Sequence, residues 1–286
     1  MAYDLVNPED DLGFAGPDRP LVVRGAAVLA RRLAALMPDW PAAAVPAGSA
    51  ADIVVTAAAE GFHLSTAAYP AEHDFDGPLA AANGLVGALI GSYVARDTAL
   101  LCLHAAAITD SAGRLIVLLG DTGAGKSTLA VALAQRGRPL VADDRLAVRH
   151  AAAEGFGFGL VPKLRRPLPD EADAAFRAFV AARAGEAEGD MQYVLLRAPE
   201  RGAFGVARPI AAILLLDRVP GAAPARTPLV RADLVRALVG ATFAPQLDAA
   251  ARLSAIAALA ARLPAARLHY GSSFAAADFL LREPVA

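Results

Sequence analysis

The chain has one cysteine, Cys102. That excludes an internal disulfide framework and a multi-cysteine metal site, and a lone cysteine inside an apolar run reads as a core strand residue. No stretch reaches 18 consecutive apolar residues, although 56 % of the 286 residues are hydrophobic and the mean hydropathy is +0.42. A membrane span is therefore not expected, because much of that hydropathy is alanine, which favours helices while adding little core. Neither sign of charge dominates. The formal net charge of −2 gives no support to nucleic acid as the main partner. The opening residues, MAYDLVNPEDDLG, lack the basic and apolar regions of a secretory signal, so the expectation is a cytoplasmic protein.

Lysine is the scarcest charged residue. Of 27 basic residues only Lys126 and Lys163 are lysines. Against an arginine background, a lysine marks a place that wants a compact charge on a thin stem rather than a wide planar fork. Lys126 lies in a phosphate-loop motif. Lys163, in GLVPKLRRP with Arg165 and Arg166, is a candidate for the acceptor side of a site, the alternative being a solvated basic edge.

Residues 1–20 are rich in Asp, Pro and Gly and read as an irregular lead-in. Apolar spacing predicts a helix in VVRGAAVLARRLAALM, a loop in PAAAVPAGSA, strands in ADIVVTAA and GFHLSTAA, and a helix in PLAAANGLVGALIGSYVAR that approaches the central sheet. From about residue 100 strands alternate with helices: ALLCLHAAAITD and GRLIVLLG as adjacent strands, KSTLAVALAQRG as a helix with Gly137 as its C-cap, RPLVAD and RLAVRH as strands. Further on, DEADAAFRAFVAARAGE reads as a helix, PIAAILLLDR as a strand, RADLVRALVG and LDAAARLSAIAALAARL as helices, and ARLHYG as a strand before a short final helix. The expectation is an α/β fold, with an N-terminal α+β extension over 1–99 and a phosphate-loop domain over 100–286.

Gly120-Asp121-Thr122-Gly123-Ala124-Gly125-Lys126-Ser127 fits G-x-x-x-x-G-K-[ST], and Thr128 follows. The glycines let the backbone turn its N–H groups inward as an anion nest, and the following helix adds the positive end of its dipole. In this chemistry Lys126 bridges the terminal phosphates of ATP, and Ser127 holds the accompanying Mg2+. Asp143 and Asp144 end the strand-like run Leu140-Val141-Ala142, 17 residues after Lys126 in the case of Asp143. One carboxylate can serve the metal and the other can accept a proton from an attacking hydroxyl, unless one of them merely caps the next turn. The pair thus suits phosphoryl transfer to an alcohol. His63, His73, His150 and His269 show no metal-ligand spacing and read as structural. His104, between apolar neighbours, reads by itself as a buried, hydrogen-bonded residue.

The stretch from LHAAAI through GDTGAGKSTLA to RGRPLVADDR resembles the C-terminal catalytic domain of HPr kinase/phosphorylase, and more closely its divergent relatives, some of which phosphorylate a serine of a lasso-peptide precursor. The resemblance is specific over residues 100–150. It implies a fold like that of phosphoenolpyruvate carboxykinase, a mixed sheet flanked by helices. It also implies Lys126 on the phosphate, Ser127 on magnesium, Asp144 as catalytic base, His104 beside the transferred phosphate, and an oligomeric assembly of identical chains; Asp143 is then the carboxylate left for the metal. Two departures stand out. Thr128 replaces the glutamate that follows G-K-S in HPr kinase, and the family's L-E-x-R-G-x-G signature, with its additional carboxylate, has no counterpart in GFGFGLVPKLRRPLP. The expected activity is an ATP- and Mg2+-dependent kinase acting on a serine of a peptide or protein. A small-molecule kinase acting on free serine or a sugar, and a nucleotide-binding regulatory protein with little transfer activity, are the alternatives.

Overall fold

The computed structural model describes residues 11–46, 48–67 and 71–283. The chain divides into two units, Met1–Thr98 and Ala99–Ala286.

The first unit is a six-stranded sheet with helices against it. Its elements are β1 (Asp11–Phe14), β2 (Leu21–Arg24), α1 (Ala30–Leu36), β3 (Ala42–Val45), β4 (Ile53–Ala58), β5 (Gly61–Thr66), β6 (Ala71–Phe75) and α2 (Pro78–Ala95). The sheet order is β3-β1-β2-β4-β5-β6, antiparallel except for the parallel β2–β4 pair. Three expectations need correction here. The irregular lead-in turns into β1 at Asp11, and its first ten residues lie outside the described residues. The helix read from Val22 begins as β2, because branched Val22 and Val23 pair with β1 and the chain then turns at Gly25, with φ 74°. The presumed loop PAAAV is β3, where pairing with β1 supplies what alanine lacks in strand preference. Trp40 closes the core edge-on between Phe14 and Tyr93, at 6.5 and 6.1 Å between centroids, and its indole N–H donates to Ala15 O at 2.9 Å. α2 packs on β5, β6 and α1 of its own unit. It is the one described helix whose length and composition would suffice to cross a bilayer, and 61 % of it is buried.

The second unit carries the Gly120–Ser127 motif. Its elements are β7 (Leu100–Leu103), β8 (Ala106–Thr109), β9 (Leu115–Leu119), α3 (Lys126–Gln135), β10 (Leu140–Ala142), β11 (Leu146–Arg149), β12 (Glu154–Gly157), β13 (Lys163–Arg165), α4 (Ala174–Ala181), β14 (Ala184–Glu188), β15 (Met191–Val194), β16 (Arg208–Arg218), β17 (Ala225–Pro228), α5 (Arg231–Ala241), β18 (Thr242–Phe243), α6 (Ala249–Arg262), β19 (Ala265–Tyr270) and α7 (Ser273–Arg282). The central strands run β10-β8-β9-β16-β19-β17. β9, β16 and β19 are parallel; β8 is antiparallel to both β9 and β10, so β10 also points their way. The carboxyl ends of four strands therefore share one edge. The fold is mixed α/β, as expected. The start of the long strand β16 also pairs with β12, which leads on to β11, β7 and β18. The single run read from ALLCLHAAAITD breaks at His104 into β7 and β8, which pair with different neighbours. The helix read through AARAGE stops at Ala181, and the chain becomes β14 in a small sheet β13-β15-β14.

One face of the central sheet (Ile116, Leu118, Leu214, Leu216, Leu268) packs with α3, α4 and α7, and the other (Val117, Leu119, Ile213) packs with α5 and α6. Phe176 of α4 is fully buried against Phe274 of α7, ring centroids 4.8 Å apart at 70°. Phe176→Ala is expected to destabilise this unit by ~3–5 kcal/mol. Guanidinium titration would check this through a lower midpoint of its transition, and an unmoved midpoint would refute it.

Candidate active site

The loop between β9 and α3 makes the tight curl that its glycines permit. Gly120, Gly123 and Gly125 all have positive φ, at 157°, 87° and 95°. Gly125 is doubly constrained, because a Cβ there would stand 2.9 Å from Tyr270 Oη and 3.2 Å from Ser273 Oγ. Tyr270 is fully buried at the end of β19, its hydroxyl donates to Ala124 O, and burial pushes that hydroxyl up to about 12. The loop is thus anchored from below by the neighbouring strand. Lys126 folds its ammonium back over the curl, donating to Gly120 O at 2.7 Å and Asp121 O at 3.2 Å. Burial lowers its pKa, against the opposing pull of Asp143, Asp144 and Asp121.

β10 delivers the two aspartates to different places. Asp143 is 5 % exposed. Its Oδ1 accepts from Ser127 Oγ at 2.9 Å, and its Oδ2 accepts from the Lys163 N–H at 3.3 Å. Burial, reinforced by the charge of Asp144 and only partly offset by these hydrogen bonds, raises its carboxyl to about 6. At Asp144 the chain leaves the strand with φ 71°, a conformation that aspartate tolerates better than most residues. Its Oδ1 lies 2.9 Å from His104 Nε2, and Arg145 Nε is 3.8 Å from Oδ2. The hydrogen bond from His104, supported by Arg145 and opposed by burial, lowers this carboxyl to about 2. An ionised carboxylate can only accept, so Nε2 carries the imidazole proton and Nδ1 is left as the acceptor nitrogen. The His104 backbone N–H donates to Ala241 O at 2.7 Å, which ties the β7–β8 junction to the end of α5.

The structure therefore brings Lys126, Ser127, Asp143, Asp144 and His104 together. It divides the basic trio. Lys163 joins the site through its backbone N–H, while its ammonium lies 5.7 Å from the centre of the Tyr193 ring. Arg165 bonds Asp190 at 3.0 Å, and Arg166 bonds the Gln192 side chain. Both arginines are thus engaged by the β14–β15 hairpin. Thr128 follows in the first turn of α3. Cys102 is buried in β7 with its thiol pushed up to about 12 by burial.

Reading the sequence missed a second histidine–carboxylate pair on the other side of the loop. Asp217, at the end of β16, lies 2.9 Å from His269 Nδ1 on β19, and His269 Nε2 lies 3.2 Å from Thr227 Oγ1. A signal was available: the apolar run Ile210–Leu216 ends in Asp-Arg, as Leu140–Ala142 ends in Asp-Asp. The pairing with His269 was not available, because it depends on β16 and β19 lying side by side. Among the described residues no cluster of three or more metal-ligating side chains occurs. Ser127 and Asp143 offer two oxygens, a set suited to a hydrated Mg2+ that takes its remaining ligands from water and phosphate. Compared with known protein families and with curated proteins, the chain matches none.

The Asp143 carboxyl predicts a pH effect. Between the ordinary 3.8 and about 6 the folded protein holds a proton that the unfolded chain has released. Stability contributed at this position therefore falls as pH rises through that window, by on the order of 2–3 kcal/mol. In buffer containing EDTA, Asp143→Asn should lose less thermal stability between pH 4 and pH 7 than the unsubstituted protein. Parallel curves would contradict the assignment. Asp144 acts in a lower window, its stabilisation being lost as pH falls from 3.8 towards about 2.

Proposed function

We propose that the protein is a Mg2+- and ATP-dependent kinase that transfers the γ-phosphoryl group to a hydroxyl, with a serine of a peptide or protein as acceptor, on a fold of the HPr kinase/phosphoenolpyruvate carboxykinase type. The observation that carries this reading is the pairing of the phosphate loop with two differently placed carboxylates: Asp143 hydrogen-bonded to Ser127, and Asp144 hydrogen-bonded to His104. A loop that only held a nucleotide would need the first pair and not the second.

The loop's backbone N–H groups and Lys126 bind and orient the phosphates. Bound Mg2+ supplies neutralisation of phosphate charge, and Ser127 and Asp143 are the residues that would hold it. A cation held there would favour the ionised form of the Asp143 carboxylate and offset the cost of its burial. The acceptor oxygen forms a bond to the γ-phosphorus, the bond to the bridging oxygen breaks with its electron pair leaving on the diphosphate, and the hydroxyl proton is taken by the protein. Asp144, as catalytic base, and His104, hydrogen-bonded to it through Nε2, form the proton-accepting unit, in which the imidazole can share the proton the hydroxyl releases.

Lys126→Ala should abolish turnover and strongly weaken ATP binding by calorimetry, and Lys126→Arg should fail as well, because the curl of Gly120 and Asp121 leaves no room for a fork. Unchanged affinity and turnover would sink the assignment. Asp144→Asn and His104→Ala should each slow transfer by ~10²–10⁴ while still binding Mg-ATP. Because the two act as one unit, the double variant should be little worse than either single one. Multiplicative losses in single-turnover rates would show that they act separately. Asp143→Asn should instead raise the Mg2+ concentration required for half-maximal activity.

A further inference from the structure

A cleft of about 570 Å³ runs along the carboxyl edge of the sheet, from His104 over Gly120, Asp121 and Thr122 to Asp217 and Arg267, with Asp233 and Arg236 of α5 on its wall. That volume is within the range of ligand-binding clefts. Most charged groups in it are already paired. His104 is bonded to Asp144, Arg236 to Asp233, and Asp217 to His269. Arg267 differs: it is half-buried, and its guanidinium has no hydrogen bond or ion pair with any described residue.

Strand register places it. Leu119, Leu215 and Arg267 form one row across β9, β16 and β19. Leu119 and Leu215 face α5 and α6, and Leu268, the next residue after Arg267, packs on the opposite face, so Arg267 shares the α5 side. Two strand spacings, ~9.6 Å, separate the Cα of Arg267 from that of Leu119, the last residue before the phosphate loop. A guanidinium partly withdrawn from water without a partner is a cost that an incoming anion removes, and its planar fork matches a carboxylate in two parallel hydrogen bonds. An extended peptide advances ~3.3 Å per residue. One or two residues, together with the reach of an acidic side chain and of Arg267, bridge the gap from a hydroxyl above the loop.

We propose that this cleft receives the acceptor as an extended segment and that Arg267 selects it by binding an Asp or Glu side chain one or two residues from the modified serine. The inference rests on the kinase reading and adds the class of substrate, an acidic-flanked serine. Arg267 is a specificity-determining residue here, distinct from the groups that move the proton or hold the phosphate.

The test uses the full chain, Mg-ATP and N-acetylated, C-amidated peptides with one central serine, carrying either Asp or Asn at each flanking position in turn. A further set ends in a free carboxylate. Phosphorylation is followed by mass spectrometry. The unsubstituted protein should prefer Asp over Asn at one position within two residues of the serine by about ten- to a hundredfold, the range for a charge-assisted pair. Arg267→Gln should bring that ratio close to one while leaving the rate on the Asn peptide, the KM for ATP and the thermal midpoint unchanged. Three results would overturn the inference and spare the kinase: no preference for Asp, a preference that survives Arg267→Gln, or equal slowing on every peptide, which would put Arg267 on the nucleotide. A preference only for the free C-terminal carboxylate would also overturn the side-chain assignment. If the unsubstituted protein modifies no peptide, the peptide-kinase reading falls and the inference falls with it.

Discussion

The hydrogen bond from Ser127 Oγ to the buried carboxylate of Asp143, 2.9 Å long, is the contact around which the candidate site of the second unit is arranged. It joins the first turn of α3 to the end of β10, two elements that the chain connects only through the length of the helix. A carboxylate withdrawn from water needs further donors. The backbone N–H of Lys163 supplies one, which brings β13 against the site and, through β13, the small sheet of β14 and β15. With Asp143 held inward, the chain must turn away at Asp144. It does so in the left-handed region, and that turn sends the second carboxylate to His104. Two adjacent residues of one type thereby acquire opposite electrostatics, one carboxyl raised to about 6 by burial and the other lowered to about 2 by its hydrogen bond.

The phosphate loop is consequently flanked on both sides by a histidine–carboxylate pair, His104–Asp144 towards β10 and His269–Asp217 towards β17. The flanks are not equivalent. The first adjoins the loop's buried side, where Ser127, Asp143 and Lys126 meet. The second stands at the far end of an open cleft whose free cation is Arg267. This asymmetry sets a compact, hydrogen-bonded flank against an open one. Residues 155–169, which carry no acid, give Asp143 the Lys163 backbone N–H, and the charge of Lys163 pulls both the Asp143 and the Asp144 carboxyl downward.

Reading the sequence worked best where chemistry is local. The curl of Gly120–Lys126 follows from glycine spacing, and β9 and α3 follow from an apolar run and a helical period on its two sides. The helices α5, α6 and α7 and the strands β16 and β19 were likewise visible in their periodicity. The misses have one cause. β1 and β3 are short segments with little apolar pattern, and β14 continues a run that looks helical; each becomes a strand because a partner strand lies alongside it. Strand pairing is worth more there than intrinsic preference.

The residues of Gly120–Ser127 and the Asp143–Asp144 pair were identifiable from the chain alone because a phosphate nest and a strand-end carboxylate are built from neighbours in sequence. Which aspartate is buried, which one meets His104, and the presence of Asp217, His269 and Arg267 along the same edge could not be read that way. These depend on the register of β9, β16 and β19 and on the path of β10 beside β8, which bring residues more than a hundred positions apart within reach of one loop. Register is set by how whole strands bury their apolar faces against α3 and α7 on one side and α5 and α6 on the other, a balance over the entire unit that no short stretch of sequence contains.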